Sequence, residues 1–395
     1  MINILGVNIS DLNKKEILNK LDDFLNSGNQ HYITTPNPEI ILKAIKDEEF
    51  FYIIHKSSLA IPDGVGLKFA GWLVGKNIKR FTGADLAKNI LNIAQAKKLK
   101  VAILNMEDGL SRKEDLEKVL NNLYSKLSTK IINVGRGVQL LSLGAKSTNN
   151  LINFKPDILF VTLGAPYQEK IIYHILPKLP SVKLAIGVGG AFDFLTGKIK
   201  RAPKFMRIIG LEWLWRLFKQ PRRWKRIYNA VIVFPIKFFT WRFILPFTYR
   251  PNVACLLYKI VGDNYKILIV ERGDLPGHWQ LPQGGLDGES IEVAGRRELG
   301  EEVGTDKFKD IKTYKNLHKY KFAPNPVEKY NYKGQKQSLF IAQFQGQDSD
   351  IKVNFWEHKS WKWVEATSLV NEVNPVRRNG AKIFLDKFNE ITENR

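Results

Sequence analysis

Glu298, Glu301 and Glu302 stand close enough in the sequence to do chemistry together. On a helix they occupy positions i, i+3 and i+4, so their carboxylates share one face. Like charges at that spacing repel. A hard divalent cation among them removes the repulsion, because Mg2+ and Mn2+ take carboxylate oxygens and keep positions open for substrate phosphates. The plain alternative is a solvated acidic helix face. The surroundings favour the metal. A glycine-rich turn, Gly284-Gly285-Leu286-Asp287-Gly288-Glu289, leads in, Arg297 stands directly before Glu298, and Val303-Gly304 closes the run.

That ordered set resembles the Nudix box, whose pattern is G-x5-E-x7-R-E-U-x-E-E-x-G-U. Gly284, Gly285, Glu289, Arg297, Glu298, Glu301, Glu302 and Gly304 carry the resemblance. It implies a Nudix α/β/α sandwich with a mixed sheet. In such a domain Glu298, Glu301 and Glu302 hold Mg2+ or Mn2+, which polarises a phosphate and lowers the pKa of an attacking water. Arg297 orients the carboxylates from beside them. His278-Trp279-Gln280-Leu281-Pro282-Gln283 and Tyr332 to Phe340 resemble the branch that cleaves diadenosine polyphosphates or removes pyrophosphate from RNA 5′ ends. Glu357, shortly before Trp361-Lys362-Trp363-Val364, resembles a glutamate that serves those relatives as a further metal ligand or base. The implied substrate is a nucleoside diphosphate linked to a group X. The turn departs from the pattern: four residues, not five, separate Gly284 from Glu289, and Thr305 stands at an apolar position. The short turn keeps open a second reading, a module that senses a nucleotide without cleaving it.

The first two hundred or so residues have another style. Apolar runs of β type, Gln30–Thr34, Ser58–Ile61, Lys100–Leu104, Lys130–Val134, Ile158–Thr162 and Leu184–Val188, alternate with helical patterns at Glu39–Ile54, Leu86–Lys97 and Leu110–Leu127. The alternation predicts an α/β fold with a largely parallel sheet. Ligands of such sheets bind beyond the carboxyl ends of the strands. Polar motifs follow those ends: Thr34 to Glu39, Pro62-Asp63-Gly64-Val65-Gly66, Arg80 to Asp85, Gly164 to Glu169, Gly187 to Asp193, Arg201-Ala202-Pro203, Gly210 to Arg216 and Pro221-Arg222-Arg223.

The ordered set resembles the WecG/TagA/CpsF family, glycosyltransferase family 26, over about residues 1–228. The resemblance implies inverting transfer of an N-acetylmannosamine-type sugar from UDP to a polyprenyl-diphosphate-linked acceptor, in envelope polysaccharide synthesis. Inverting transfer needs a base for the acceptor hydroxyl, and Asp63, in its glycine-flanked loop, is the candidate. Thr35 and Asn37 fit hydrogen bonds to sugar hydroxyls, and Gln168 and Glu169 fit polar groups of donor or acceptor. The leaving UDP develops negative charge, which arginines stabilise bidentately; Arg201, Arg216, Arg222 and Arg223 are the candidates. No Asp-x-Asp lies near these motifs, so no cofactor is expected for the transferase. Two stretches depart from the family, Asn105-Met106-Glu107-Asp108-Gly109 and Gly135-Arg136-Gly137-Val138-Gln139, and both lie where the nucleotide is expected.

The net charge is +22, which predicts an anionic partner: nucleic acid, nucleotide phosphates or an acidic membrane surface. Basic residues concentrate between Lys198 and Arg226, with Trp213, Trp215 and Trp224 interleaved. Residues 228–249 are apolar and aromatic but interrupted by Pro235, Lys237, Arg242 and Pro246, which suits an in-plane interfacial segment better than a spanning one. The expected division is 1–227, 228–249 and 250–395. The single cysteine, Cys255, sits in an apolar run, which predicts a buried thiol and suits a reducing compartment. The N-terminus lacks the basic and apolar segments of a signal peptide. The leading expectation is therefore a bifunctional enzyme, cytoplasmic and peripheral on the inner face of the membrane. A dinucleoside polyphosphate or RNA 5′-end pyrophosphohydrolase is a further alternative.

Overall fold

The computed structural model describes residues 1–135, 144–203, 205–206, 211–322 and 331–393, without the side chains of Arg216, Lys219 and Arg222. The chain forms two compact units, Met1–Thr240 and Trp241–Arg395.

In the first unit a small hairpin, β1 (Ile2–Ile4) with β2 (Val7–Ile9), precedes the main sheet. That sheet contains β3 (His31–Thr34), β4 (Leu59–Ala60), β5 (Lys100–Met106), β6 (Ser128–Val134), β7 (Ile158–Val161) and β8 (Leu184–Gly187). Their order is β4-β3-β8-β7-β5-β6 and every pairing is parallel. The α/β class read from the sequence is the class observed. β7 and β8 are buried on both faces, as their unbroken apolar runs require. One core packs Ile33, Ile103, Phe160 and Ile186 under the helices Lys14–Asn26 and Gly83–Ala96. The other packs Leu104, Leu159, Val161 and Ala185 beneath Tyr167–Ile175.

The expected helix Glu39–Ile54 is two helices, Pro38–Ala44 and Glu48–Lys56. Asp47 divides them by accepting the Phe50 N–H at 2.9 Å, a cap that starts a new helix. Leu110–Leu127 shortens to Lys113–Leu123. The apolar segment differs more. Residues Trp224–Phe247 form one 24-residue helical run whose most apolar 18-residue window has a mean hydropathy of 1.6, long and apolar enough by length and composition to cross a bilayer. Its prolines do not break it. A π-helical turn, Asn229–Val233, stands before Pro235, and another, Thr240–Ile244, stands before Pro246. Such wider turns absorb a missing N–H and the bulk of a ring. Trp224, Tyr228, Ile232, Ile236 and Phe239 are exposed at spacings of three and four, while Phe234 and Phe238 are buried. The helix Val65–Leu73 exposes Phe69 and Trp72 as well.

The second unit is built on a mixed sheet. It contains β9 (Tyr249–Val261), β10 (Asn264–Arg272), β11 (Trp279–Gln280), β12 (Gln283–Gly285), β13 (Phe308–Lys321), β14 (Gly334–Phe344) and β15 (His358–Glu365). β9 and β14 run parallel, and the other pairings are antiparallel. β15 pairs with β10 through a bulge: Glu271 faces Ser360 but Arg272 faces His358, so Lys359 is an extra residue. Ile291–Glu298 covers one face over Val253, Cys255, Leu257 and Phe340, and Arg378–Thr392 covers the other with Phe384 and Phe388 on Leu256 and Tyr258. Cys255 is buried, and burial pushes its thiol pKa well up.

Gly295 marks how closely the first of these helices approaches the sheet. A Cβ there would lie 2.4 Å from Phe340 Cγ, and Phe340 is wholly buried. Gly→Ala inside a helix ordinarily stabilises by about 1 kcal/mol. Here the sign reverses: Gly295→Ala is expected to destabilise the protein by about 1–3 kcal/mol through overpacking. Denaturant unfolding of the two proteins checks this, and a stabilised variant would contradict the packing described.

Candidate functional site

In the first unit the carboxyl ends of β3, β4, β5, β7 and β8 open on one cleft of about 1040 Å³. Two loops close against each other there. Gly64 has φ +101°, and a Cβ on Gly66 would fall 2.7 Å from Pro38 Cγ. This close approach brings the loop carrying Thr35 and Asn37 beside the loop carrying Asp63. Asp63 Oδ2 accepts the Gly83 N–H at 3.3 Å, at the start of the helix Gly83–Ala96. Its Oδ1 lies 3.5 Å from Arg80 Nε, an ion-pair separation. Arg80 Nη2 donates to Glu212 Oε2 at 2.8 Å. Burial works against the Arg80 charge, but Asp63 and Glu212 outweigh it and hold its pKa above the ordinary arginine value.

Thr35, Asn37, Asp63, Gln168, Arg201 and Arg223 all line the cleft. Asn37 also caps its helix, its Oδ1 accepting the Ile40 N–H at 3.0 Å. Gln168 is 3% exposed, and its Oε1 accepts N–H groups from Gly164 (3.1 Å) and Gly189 (2.9 Å). Glu169 does not line the cleft. It is 1% exposed behind Gln168, and its Oε1 accepts from Gln168 Nε2 at 2.8 Å. Its contact is with Gln168, so of the expected pair only Gln168 reaches the cleft wall. Arg201 is held at the cleft by Asp85, with Nη1 to Oδ1 at 2.8 Å. The Arg216 and Arg222 side chains lie outside those described. Asn105, Met106, Asp108 and Gly109 reach the cleft wall, while Arg136 to Gln139 lie outside the described residues.

In the second unit the box does not remain one regular helix. It is α-helical to Glu298 and then π-helical over Leu299–Val303. The three glutamates of the box have different partners. Glu298 is buried against Gly284, where a Cβ would stand 1.9 Å from its carboxyl carbon. Arg297 gathers the others: Nε donates to Glu289 (2.9 Å), Nη1 to Glu298 (2.7 Å) and Glu301 (3.2 Å), and Nη2 to the Gly285 carbonyl (2.7 Å). Burial disfavours its charge, but these carboxylates raise its pKa overall. Glu301 is 59% exposed in its side chain. Glu302, 4% exposed, turns instead toward Glu357 and His358. The turn that is one residue short still delivers Glu289 to Arg297. Asp287 (φ +44°) and Gly288 (φ +91°) tighten it, and the Glu289 N–H closes it on the Leu286 carbonyl at 2.7 Å. Asn354 clamps the far side, its Nδ2 donating to the Glu301 carbonyl and to Glu357 Oε2, each at 3.0 Å.

One oxygen each from Glu302 and Glu357 and one nitrogen from His358 lie within 4.8 Å of one another. Among the described residues this trio, rather than Glu298, Glu301 and Glu302, has the spacing of a cation site. Its donors fit a divalent ion.

Residues 2–246 match the model of the glycosyl transferase WecG/TagA/CpsF family, and residues 248–387 match that of the NUDIX domain. The chain belongs to the WecG/TagA/CpsF family and carries a Nudix domain behind the transferase. Over 221 residues it is 35% identical to the N-acetylglucosaminyldiphosphoundecaprenol N-acetyl-beta-D-mannosaminyltransferase of Bacillus subtilis (strain 168), covering 52% of this chain and 82% of that protein. Over 147 residues it is 37% identical to the RNA pyrophosphohydrolase of Wolbachia sp. subsp. Brugia malayi (strain TRS), covering 35% of this chain and 89% of that one. A solved structure of a C. elegans Ap4A hydrolase aligns with 37% of this chain and 99% of its own, at 19% identity and a TM-score of 0.30.

Arg80, Asp193 and His358 went unassigned in the sequence reading. Arg80 and Asp193 lay within its motifs, but nothing in sequence separates a cleft arginine from a rim arginine. Asp193 lines the cleft and accepts from Ser111 Oγ at 2.7 Å. Burial raises its pKa, against the bond from Ser111 and the charge of Arg223.

Burial pushes the Glu169 pKa from 4.5 up to about 7, against the opposing bond from Gln168. A folded-state carboxyl pKa above the unfolded one favours the protonated fold. Stability is therefore lost as pH rises from about 4.5 and levels off above about 7. Glu169→Gln retains an acceptor for Gln168 and removes the titration. The variant is expected to exceed wild type by about 3 kcal/mol at pH 8 and by under about 1 kcal/mol at pH 5. Denaturant midpoints at the two pH values check it; a pH-independent difference would place the carboxylate in water.

Proposed function

We propose that the first unit transfers an N-acetylmannosamine-type sugar, with inversion, from UDP to a polyprenyl-diphosphate-linked acceptor, and that the second hydrolyses a nucleoside diphosphate linked to X. The convergence of Thr35, Asp63 and Arg80 on the start of one helix carries the first part. A Cβ at Gly83 would lie 3.8 Å from Thr35 Oγ1 and 3.9 Å from Asp63 Oδ2, so the hydroxyl, the carboxylate and a helix N-terminus meet at one point. Asp63 takes the acceptor proton. Arg80, Arg201 and Arg223 face the charge that develops on the leaving UDP. The cleft volume of about 1040 Å³ suits a nucleotide sugar. The name of the Bacillus subtilis relative supports the sugar and the lipid diphosphate.

The exposed apolar stripe on Trp224–Phe247, with Phe69 and Trp72, supports attachment to the membrane that holds such an acceptor. We place the protein at the inner face, with residues 1–227 as transferase, 228–249 as interfacial segment and 250–395 as hydrolase.

In the second unit a bound Mg2+ or Mn2+ supplies phosphate polarisation and an acidified water. Glu302 and Glu357 would hold it, Arg297 fixes Glu298 beside them, and Asn354 orients Glu357. The Wolbachia relative's name favours a 5′-polyphosphorylated RNA end as the first form of X to test.

Purified full-length protein, Asp63→Asn and Glu302→Gln should be assayed side by side. The substrates are UDP-N-acetylmannosamine with a lipid-diphosphate acceptor, UDP-sugars, diadenosine tetraphosphate and 5′-triphosphate RNA. Asp63→Asn is expected to lower transfer by about 10²–10⁴-fold and spare hydrolysis; Glu302→Gln is expected to do the reverse. Wild-type protein that hydrolyses no member of the panel would leave the second unit a nucleotide-sensing module. In flotation with anionic vesicles, Ile232→Asp combined with Ile236→Asp is expected to release the protein; unchanged flotation would remove the stripe from the interface.

A further inference from the structure

His358 is a buried imidazole with no hydrogen-bond partner for its ring among the described residues. It is 4% exposed, and neither Nδ1 nor Nε2 makes a hydrogen bond to any described residue. Nε2 lies 3.1 Å from Glu302 Oε2, inside ion-pair range, but the two atoms are not aligned for a hydrogen bond. Leaving a buried ring nitrogen without a hydrogen-bond partner is unfavourable. Such a nitrogen, aimed at two carboxylates, has the environment of a metal ligand rather than of a core residue. Its position is also fixed from outside. The His358 N–H bonds the Asn354 carbonyl at 3.1 Å, and Asn354 in turn grips Glu357 and the Glu301 carbonyl. The supports that orient Glu357 therefore orient His358 too.

We propose that His358 is a direct nitrogen ligand of the cation held by Glu302 and Glu357, and that the site consequently selects a borderline transition ion over Mg2+. The proposal deepens the reading of the second unit as a metal-dependent hydrolase and rests on it. Mg2+ prefers an all-oxygen octahedron and gains little from imidazole. Mn2+, Co2+ and Zn2+ accept mixed nitrogen and oxygen donors, with affinity rising toward the later metals. One imidazole added to two carboxylates thus shifts selectivity without changing the charge of the site.

The test is spectroscopic and thermodynamic. Full-length protein is loaded with Mn2+ and examined by pulsed electron paramagnetic resonance for nitrogen coupling to the ion. Calorimetry gives the affinities for Mn2+ and Mg2+. Wild type is expected to show directly bound nitrogen, to lose it in His358→Phe and in the milder His358→Gln, and to lose at least about tenfold in Mn2+ affinity relative to Mg2+. The nitrogen signal of wild type does not depend on either variant folding. Mn2+ bound through Glu302, as judged by its loss in Glu302→Gln, but without nitrogen coupling would overturn the role of His358 and leave the metal site standing. No Mn2+ or Mg2+ binding at all would overturn both.

Discussion

Each candidate site depends on a polar side chain seated where a Cβ would otherwise stand. In the first unit the Gln168 amide lies 2.6–2.7 Å from the Cβ position of Gly187, at the end of a central strand. In the second, the Glu298 carboxyl lies 1.9–2.0 Å from that of Gly284. A Cβ at either glycine would force the Gln168 amide or the Glu298 carboxyl out of the place it occupies. The consequence is rigidity. Gln168 ties two strand-end loops together through backbone N–H groups, and Glu298 sets its carboxyl against Gly284 in the turn that precedes its helix. Glycine in these places serves close approach more than flexibility.

Around those anchors, both units use one guanidinium to hold several carboxylates that would otherwise repel. Arg80 stands between Asp63 and Glu212, and Arg297 among Glu289, Glu298 and Glu301. The planar fork of five donors suits this better than a lysine, whose charge is a point on a flexible stem. A carboxylate beside such a group has a fixed direction, which general bases and metal ligands both need. Glu302 is the exception: it escapes Arg297 through the π-helical turn and is left to a backbone N–H and the imidazole of His358.

Much of this was legible in the sequence, and the limits have physical causes. The parallel sheet was readable because strands buried on both faces are unbroken apolar runs, as in Ile158–Val161 and Leu184–Gly187. The loop residues Thr35 and Asp63 were readable because cleft residues follow strand ends. The split at Asp47 was not, since a cap competes locally with a helical pattern that continues through it. That Gln168 lines the cleft and Glu169 does not was not readable, because neighbouring residues on a helix face different ways, one toward the cleft and the other into the protein. The turning of Glu302 toward Glu357 and His358 was hidden because residue spacing along a helix does not mark a π turn. His358 was invisible because its role depends on a strand pairing far away in the chain.

The bulge beside it has a consequence for relatives of different length. Side chains alternate along a strand with period two, so one residue gained or lost reverses which face each presents. His358 sits opposite Arg272 because Lys359 is the extra residue in β15. A chain that kept the same histidine but lacked one residue between it and Trp361 would carry the ring to the other side of the sheet. The donor atoms that meet Glu302 are thus counted as well as spelled, and a deletion there could change the chemistry of the site while every functional residue type survived.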